Sequence, residues 1–462
     1  MDCMTAERIA LFESEKISSA ILKLAVPTVL SSLVTTFYSL ADTFFVGMLN
    51  NSIQNAAVTL CAPALLAFNA VTNLFGVGGG SMMSRALGRK DYATAVRSSA
   101  FSFFFSILAG IAFSLLSLVF NSQLLRLLGA DSATMEATRA YLQWTVVYGA
   151  VPSILNVVMA YLVRAEGSAM HASIGTMTGC VLNIILDPVF VLPQFLGMGA
   201  EGAGLATFIS NCVAVAYFII LIISKRGNTY VSINPRNISL KRHIVLGVCA
   251  VGIPASIQNL LNVTGMTLLN NFTSFYGADA VAAMGIAQRL NNVPFSIANG
   301  FTQGLMPLVS YNYASGNHRR MKQGIFFSAR IVILGLALVA LTYFLFSGFF
   351  ISIFMNNEAV LEYGSRFLHG FALGVPFLGI DFLAVAVFQA VGKGLYSFLF
   401  AIMRKIILEI PALIILNSLF PLFGLAYAQF AAETVMAVLA VATLTHLLRK
   451  LSRGPEKDCT KA

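Results

Sequence analysis

The sequence predicts an all-α membrane protein of twelve transmembrane helices in two pseudo-symmetric six-helix lobes, and three observations carry that reading. First, 58% of the 462 residues are hydrophobic and only 10% are charged, with a mean hydropathy of +0.81. The apolar residues gather into runs of 18 or more, the length a helix needs to cross a bilayer. Second, the chain contains two copies of one pattern. Third, its basic residues alternate between the ends of the runs as those of a multi-pass membrane protein do.

Taken in order, the first-lobe spans fall at 24–48, 56–80, 98–120, 141–163, 172–193 and 202–224. The second-lobe spans fall at 246–274, 280–308, 326–354, 367–390, 396–418 and 424–448. Pro27 and Pro254, which open the first span of each set, are 227 residues apart. The second span ends in GVGGGSMMSRALGRKD, Gly76 to Asp91, and the eighth in QGLMPLVSYNYASGNHRR, Gln303 to Arg320, with Gly88 and Gly316 taken as equivalent. LVRAEG ending at Gly167 and FQAVGKG ending at Gly394 continue the match. A repeat this long is a duplicated bundle rather than a solenoid, and transporters commonly bind cargo where such halves meet. The lobes are therefore expected at 1–224 and 246–448, with a linker at 225–245 and a tail at 449–462. Asn228, Asn234, Pro235 and Asn237 mark the linker as a loop.

Placing both termini inside puts 25 of the 29 Lys and Arg residues on the cytoplasmic side, leaving Arg126, Arg139, Arg289 and Arg366 outside. The net charge of +10 then reads as an orientation signal and an attraction to anionic lipid, not as a nucleic-acid footprint. The first apolar run is too long for a signal-peptide core and lacks a cleavage site, so it is expected to remain in the mature protein. The six cysteines show no metal-ligand spacing and are expected to stay free thiols. Gly76–Gly80 follows no strand and precedes no Gly-Lys-Ser/Thr pair, so it is read as close helix packing or a bend, not a phosphate loop. With no nucleophile elbow or kinase motif, the sequence points away from an enzyme.

The ADTFFVG run (Ala41 to Gly47), the Gly76–Asp91 loop, RAEG, NIILDP (Asn183 to Pro188), PLVSYNYASGN (Pro307 to Asn317) and MRKIILEIPA (Met403 to Ala412) together resemble the multidrug and toxic compound extrusion (MATE) family. The likeness covers nearly the whole chain and is nearest to the DinF-type and MepA-type bacterial branches. It implies a MATE-like fold and ion-coupled efflux of xenobiotics from a bacterial inner membrane.

Five acids lie well inside the spans: Asp42, Asp187, Asp381, Glu409 and Glu433. A carboxylate at mid-membrane costs about 2.5 to 3.5 kcal/mol on insertion scales, so it persists facing a polar cavity, neutral, or paired. Asp42 and Asp187 sit near the outer ends of two helices running the same way. Tyr38 precedes Asp42 by four residues and Asn183 precedes Asp187 by four, which puts each pair on one helix face. Thr207 reaches a comparable depth. Two carboxylates sharing a dry site repel each other when both are charged, which favours uptake of a proton. The plainer alternatives are that Asp187 caps a break at Pro188 and that Asp42 bonds a neighbouring helix structurally. In the resembled family the positions matching Asp42, Asn183, Asp187 and Thr207 hold a proton or sodium ion, and Asn156 matches a further polar position.

Asp381, eleven residues before Gly392, matches the tenth-helix acid of the NorM-type branch, although the seventh span carries no acid. Asp381 and Glu433 are expected as a cargo contact or second coupling site, Glu433 having no sequence-local cation. Glu409 is expected to pair with Lys405 four residues earlier. The function these readings imply is secondary active antiport, exporting lipophilic cationic compounds in exchange for H+ or Na+ by alternating access. No cofactor beyond that ion is expected, nor any nucleic-acid partner; membrane lipids surround a monomer. The rival reading is a flippase for lipid-linked oligosaccharide precursors, which needs several Arg or Lys residues in its cavity to hold a pyrophosphate.

Overall fold

The computed structural model describes residues 9–49, 51–355 and 357–452, and these contain helices and no strand. The helices pack as two six-helix groups. The first comprises α1 (Ile17–Gly47), α2 (Ser52–Gly88), α3 (Tyr92–Val119), α4 (Met135–Ala165), α5 (Ala169–Val191) and α6 (Ala200–Ser224). The second comprises α7 (Arg242–Ser274), α8 (Ala278–Ala314), α9 (His318–Leu345), α10 (Glu358–Ala390), α11 (Gly394–Leu419) and α12 (Gly424–Ser452). Among the described residues nine helices are long and apolar enough to cross a membrane, and α4, bent by 44° at its middle, makes a tenth. The other two depart for visible reasons. The face of α8 carries Asn291, Asn299 and Gln303, and α11 holds Arg404, Lys405 and Glu409 in a wide-turned segment.

The duplication is visible in the turns. Asp91 accepts from the Thr94 N–H at the start of α3, and Asn317 accepts from the Arg320 N–H at the start of α9. The residues just before these caps, Lys90 and Gly316, both have positive φ (60° and 78°). Gly316 therefore matches Lys90, not Gly88 as the sequence register suggested, because the left-handed residue that ends the helix must sit one before the Asx cap. In the same way Gly167 (φ 91°) matches Gly392 (φ 80°) rather than Gly394.

Three five- to seven-residue π-helical segments interrupt the spans: Asn73–Val77 in α2, Gln143–Val147 in α4 and Met403–Glu409 in α11. Such wide turns leave backbone groups and side chains re-aimed, and they concentrate at functional sites. Pro27 is buried within α1, which runs unbroken through it for 31 residues.

The lobes meet along α1 with α8 and, symmetrically, α2 with α7. Small residues permit this close approach: a Cβ on Gly78 would collide with Val248 and Gly252, one on Gly88 with the Tyr311 backbone, and one on Gly304 with Ala25. The glycine cluster of α2 is thus both the lobe contact and the end of a π-helical segment. Interlobe hydrogen bonds run from the Gly88 end (Arg85 Nη2 to Gly247 O, 3.3 Å; Ser81 Oγ to Gln389 O, 2.6 Å) up to Thr36 Oγ1 and Ser296 Oγ at 2.6 Å. Beyond that level Phe37 and Phe44 on α1 and Met266 on α7 are exposed. The same end is sealed by the segment before α1. Phe12 stacks on Tyr311 at 4.9 Å, Arg320 Nε donates to Phe12 O at 2.6 Å, and the Tyr311 hydroxyl donates to Glu13 at 2.7 Å.

The connection between Ser224 and Arg242 lies on the first lobe. Tyr230 stacks on Tyr92, its N–H donates to Glu166 Oε2, and Ser99 Oγ donates to its carbonyl. The described cysteines, Cys61, Cys180, Cys212 and Cys249, are free; Cys3 and Cys459 lie outside the described residues.

Candidate functional site: a central cavity and two intramembrane polar clusters

A cavity of about 380 Å³ opens between the lobes. Its lining obeys the duplication. Ser31, Ser32 and Thr35 of α1 face Gln258, Asn259 and Asn262 of α7, each pair 227 apart. Asn69 and Thr72 of α2 answer Ser296 and Asn299 of α8 at the same offset. Val157, Ala160, Tyr161 and Arg164 of α4 answer Phe382, Val385, Ala386 and Gln389 of α10, each pair 225 apart. Helical spacing of three and four residues brings each set to one face. The surface is rich in amides and hydroxyls; Arg164 is the one charged side chain among the lining residues.

Farther out, the first lobe gathers a polar cluster. Asp187 and Asn183 of α5 are fully buried, at 0% and 1% exposure. Asn183 Nδ2 donates to Thr207 Oγ1 at 3.3 Å, and Thr207 also shares a side-chain hydrogen bond with Tyr38. Asp42 lies within electrostatic reach of Asp187. Its Oδ1 is buried with no hydrogen-bond partner. Asn156 stands beside the cluster, donating to Asn211 Oδ1 at 3.0 Å, while Asn211 Nδ2 donates to Thr207 O. The helix α5 continues through Pro188 to Val191, so Asp187 caps no break there. All six first-lobe residues singled out in the sequence are brought together. Two participants were missed. Tyr141, within reach of both carboxylates, sits at the predicted start of a span and gave no signal. Asn211 follows Thr207 by four residues and shares its face, which would have found it.

In this cluster two carboxylates, an amide and two hydroxyls converge, and one carboxylate oxygen, Asp42 Oδ1, is left without a hydrogen-bond partner among the described residues. Leaving a buried acceptor unsatisfied is costly. A proton or a small hard cation such as sodium meets the need, since oxygen donors suit both.

The second lobe solves its buried charge differently, and here the sequence reading is corrected. Glu433, which has no sequence-local cation and reads from the sequence as a cargo contact or second coupling site, is fully buried and pairs with Arg404 Nη2 at 2.5 Å. Asp381 meets Nη1 of the same guanidinium at 3.4 Å. Neither acid lines the cavity. Arg404 and Lys405, counted with the cytoplasmic cations, instead point into the lobe from the π-helical segment of α11. Lys405 Nζ reaches Glu409 at 2.6 Å, the pairing expected from their four-residue spacing. Arg404 was missed as a partner because the acids it joins are 23 residues before it and 29 after it.

The MatE family profile matches residues 27–189 and 254–415. Two relatives are a protein of Staphylococcus haemolyticus (strain JCSC1435) called multidrug export protein MepA and its namesake from Staphylococcus aureus (strain MRSA252). The first is 33% identical over 455 residues, covering 97% of this chain and 98% of the relative. The second is 32% identical over 450 residues, covering 96% and 97%. Among solved structures, one described as the outward-facing conformation of a multidrug resistance MATE family transporter superposes with a TM-score of 0.91 at 24% identity, covering 96% of this chain and 98% of that one. Two repeats of one helical pattern, a cavity at their junction and full-length relatives agree: the chain is a multi-pass membrane protein of the MatE family, a family of transporters and not of enzymes.

Proposed function

We propose that the protein is a secondary active multidrug efflux antiporter, exporting lipophilic compounds in exchange for H+ or Na+ by alternating access. Export of diverse compounds is what the names of its relatives state of those proteins. The observation that carries the exchange is the cluster of Asp42, Asp187, Asn183, Thr207 and Tyr38, which holds a bare carboxylate oxygen within a lobe whose helices also line the cavity. Antiport requires that ion and cargo bias one two-state element. Here α1 is that element, carrying Asp42 at its outer end and cavity residues Ser31 to Thr36 two turns deeper.

Ion uptake at Asp42 and Asp187 removes their mutual repulsion, draws α1 and α5 together, and narrows the cavity so that cargo leaves. Each positive charge moved inward is worth about 2.3 kcal/mol per 100 mV of membrane potential. With the sealed Gly88 end taken as cytoplasmic, the cleft faces outward, and both chain ends are assigned to the cytoplasmic side of a bacterial inner membrane. The acids Asp381 and Glu433 serve as a fixed, compensated network rather than a cargo contact. A cationic cargo, expected from the sequence, finds no carboxylate in the lining. The flippase alternative finds one arginine there instead of the several a pyrophosphate needs.

The test is dye uptake into inverted vesicles, the export direction, driven separately by an acid lumen and by a sodium-rich lumen. Asp187→Asn should abolish efflux under whichever gradient drives the native protein, while protein remains in the membrane. Unchanged efflux at equal expression would refute the assignment.

A further inference from the structure

Among the described residues Arg164 is a buried cation with no anion paired to it. Its residue exposure is 5%, and it projects from α4 into the central cavity. Nη1 donates to Gln303 Oε1 at 2.9 Å, and the guanidinium lies 5.4 Å from the centroid of the Tyr161 ring. Its Nε is buried with no hydrogen-bond partner. Among the described residues no carboxylate pairs with it, and Glu166, just past the end of that helix, is engaged by the Thr229 hydroxyl and the Tyr230 N–H. A charge taken out of water is expensive unless it is paired. The fold does not demand this one, because the position related by the duplication carries the neutral Gln389, whose amide donates to Gln258 at 3.4 Å.

We infer that Arg164 is the anion-binding pole of the central cavity, and that the cargo includes lipophilic organic anions bearing a carboxylate, sulfonate or phosphate. The Nε–H is left without a partner, and a guanidinium offers planar oxyanions the forked donors they fit. Gln303 is held ready by its own bond to Asn299 (3.1 Å). The remaining hydroxyls and amides take the polar substituents of the same molecule, and Phe295 and Phe382, packed edge to face at 4.8 Å, supply an apolar wall. The cargo half of this inference rests on the efflux reading above; the anion site does not.

The experiment uses the full-length protein in lipid nanodiscs and liposomes with two xanthene dyes of opposite charge, fluorescein and rhodamine 123. Fluorescein is expected to bind more tightly by about tenfold or more, and Arg164→Gln to weaken it about 10- to 100-fold with little effect on rhodamine 123, the range for hydrogen bonds to a charged group. Since Arg164→Gln is a buried change, Gln303→Glu provides a second route. It leaves the cation in place but gives it an internal carboxylate, and should likewise abolish fluorescein preference in a protein that unfolds at the native temperature. Competition by benzoate or by chloride and inorganic phosphate separates an organic from an inorganic source of the anion. Tighter binding of rhodamine 123, or fluorescein binding indifferent to both substitutions, overturns the inference. Arg164-dependent fluorescein binding without gradient-driven movement of either dye would sink the efflux reading and leave the anion site standing; driven efflux indifferent to Arg164 would do the reverse.

Discussion

Replacing Arg404 alone should damage the protein more than replacing the whole charge cluster around it. The guanidinium bridges Asp381 at 3.4 Å and Glu433 at 2.5 Å, and the three side chains are 5% exposed or less. At an effective dielectric constant of about 20 those contacts are worth about 5 and about 7 kcal/mol, most of which the desolvation of three ions takes back. Arg404→Gln removes the attraction but leaves two carboxylates facing each other in the lobe interior. A loss of about 3 to 5 kcal/mol follows, the cost of breaking a buried pair from one side. The triple change Arg404→Gln, Asp381→Asn and Glu433→Gln removes the charges together and should recover about half of that loss or more. Reversible unfolding in mixed micelles, read through the fluorescence of Trp144, measures both variants against the native protein. Native stability in Arg404→Gln, or a triple variant weaker than the single one, would refute the reasoning.

Further expectations concern the seal and the caps. Gly88→Val sets a side chain against the Tyr311 backbone and should hold the lobes apart there; a cysteine placed at Met306 would then react faster with a water-soluble maleimide added from that side. Phe12→Ala strips the ring stacked on Tyr311, a contact worth about 0.5 to 1.5 kcal/mol beyond its buried area, and should raise the same labelling rate several-fold. Asp91→Ala removes the cap of α3 and should cost about 1 kcal/mol in thermal unfolding. The Thr94 hydroxyl and N–H hold the Asp91 carboxyl below its usual range. Its contribution is therefore fully present above the ordinary carboxylate pKa and fades as pH falls through the lower native value.

The first lobe was easier to read than the second. Asp42, Tyr38, Asn183 and Asp187 declared themselves because four-residue spacing and a common depth are properties of single helices, and the sequence contains both. The contacts of Arg404 depend on how three different helices pack, and no local pattern encodes that. The repeat register was readable to within two residues, since composition locates a turn but only the left-handed residue and its Asx cap fix its phase. Similarly, apolar length located all twelve helices, although α8 and α11 also carry polar and charged groups. The three π-helical segments left no trace, for a widened turn costs one hydrogen-bond shift and changes no periodicity over so short a run.

The positional correspondence of the two halves of the cavity wall, whose paired residues differ in type, has a consequence for what sits inside it. A chamber whose opposing walls are related by a pseudo-dyad offers any guest two equivalent poses, and a guest with two poses need not be steered. Arg164 opposite Gln389 breaks that degeneracy. It gives the chamber a charged end and a neutral one, and the charged end belongs to the lobe that also holds the Asp42 and Asp187 carboxylates.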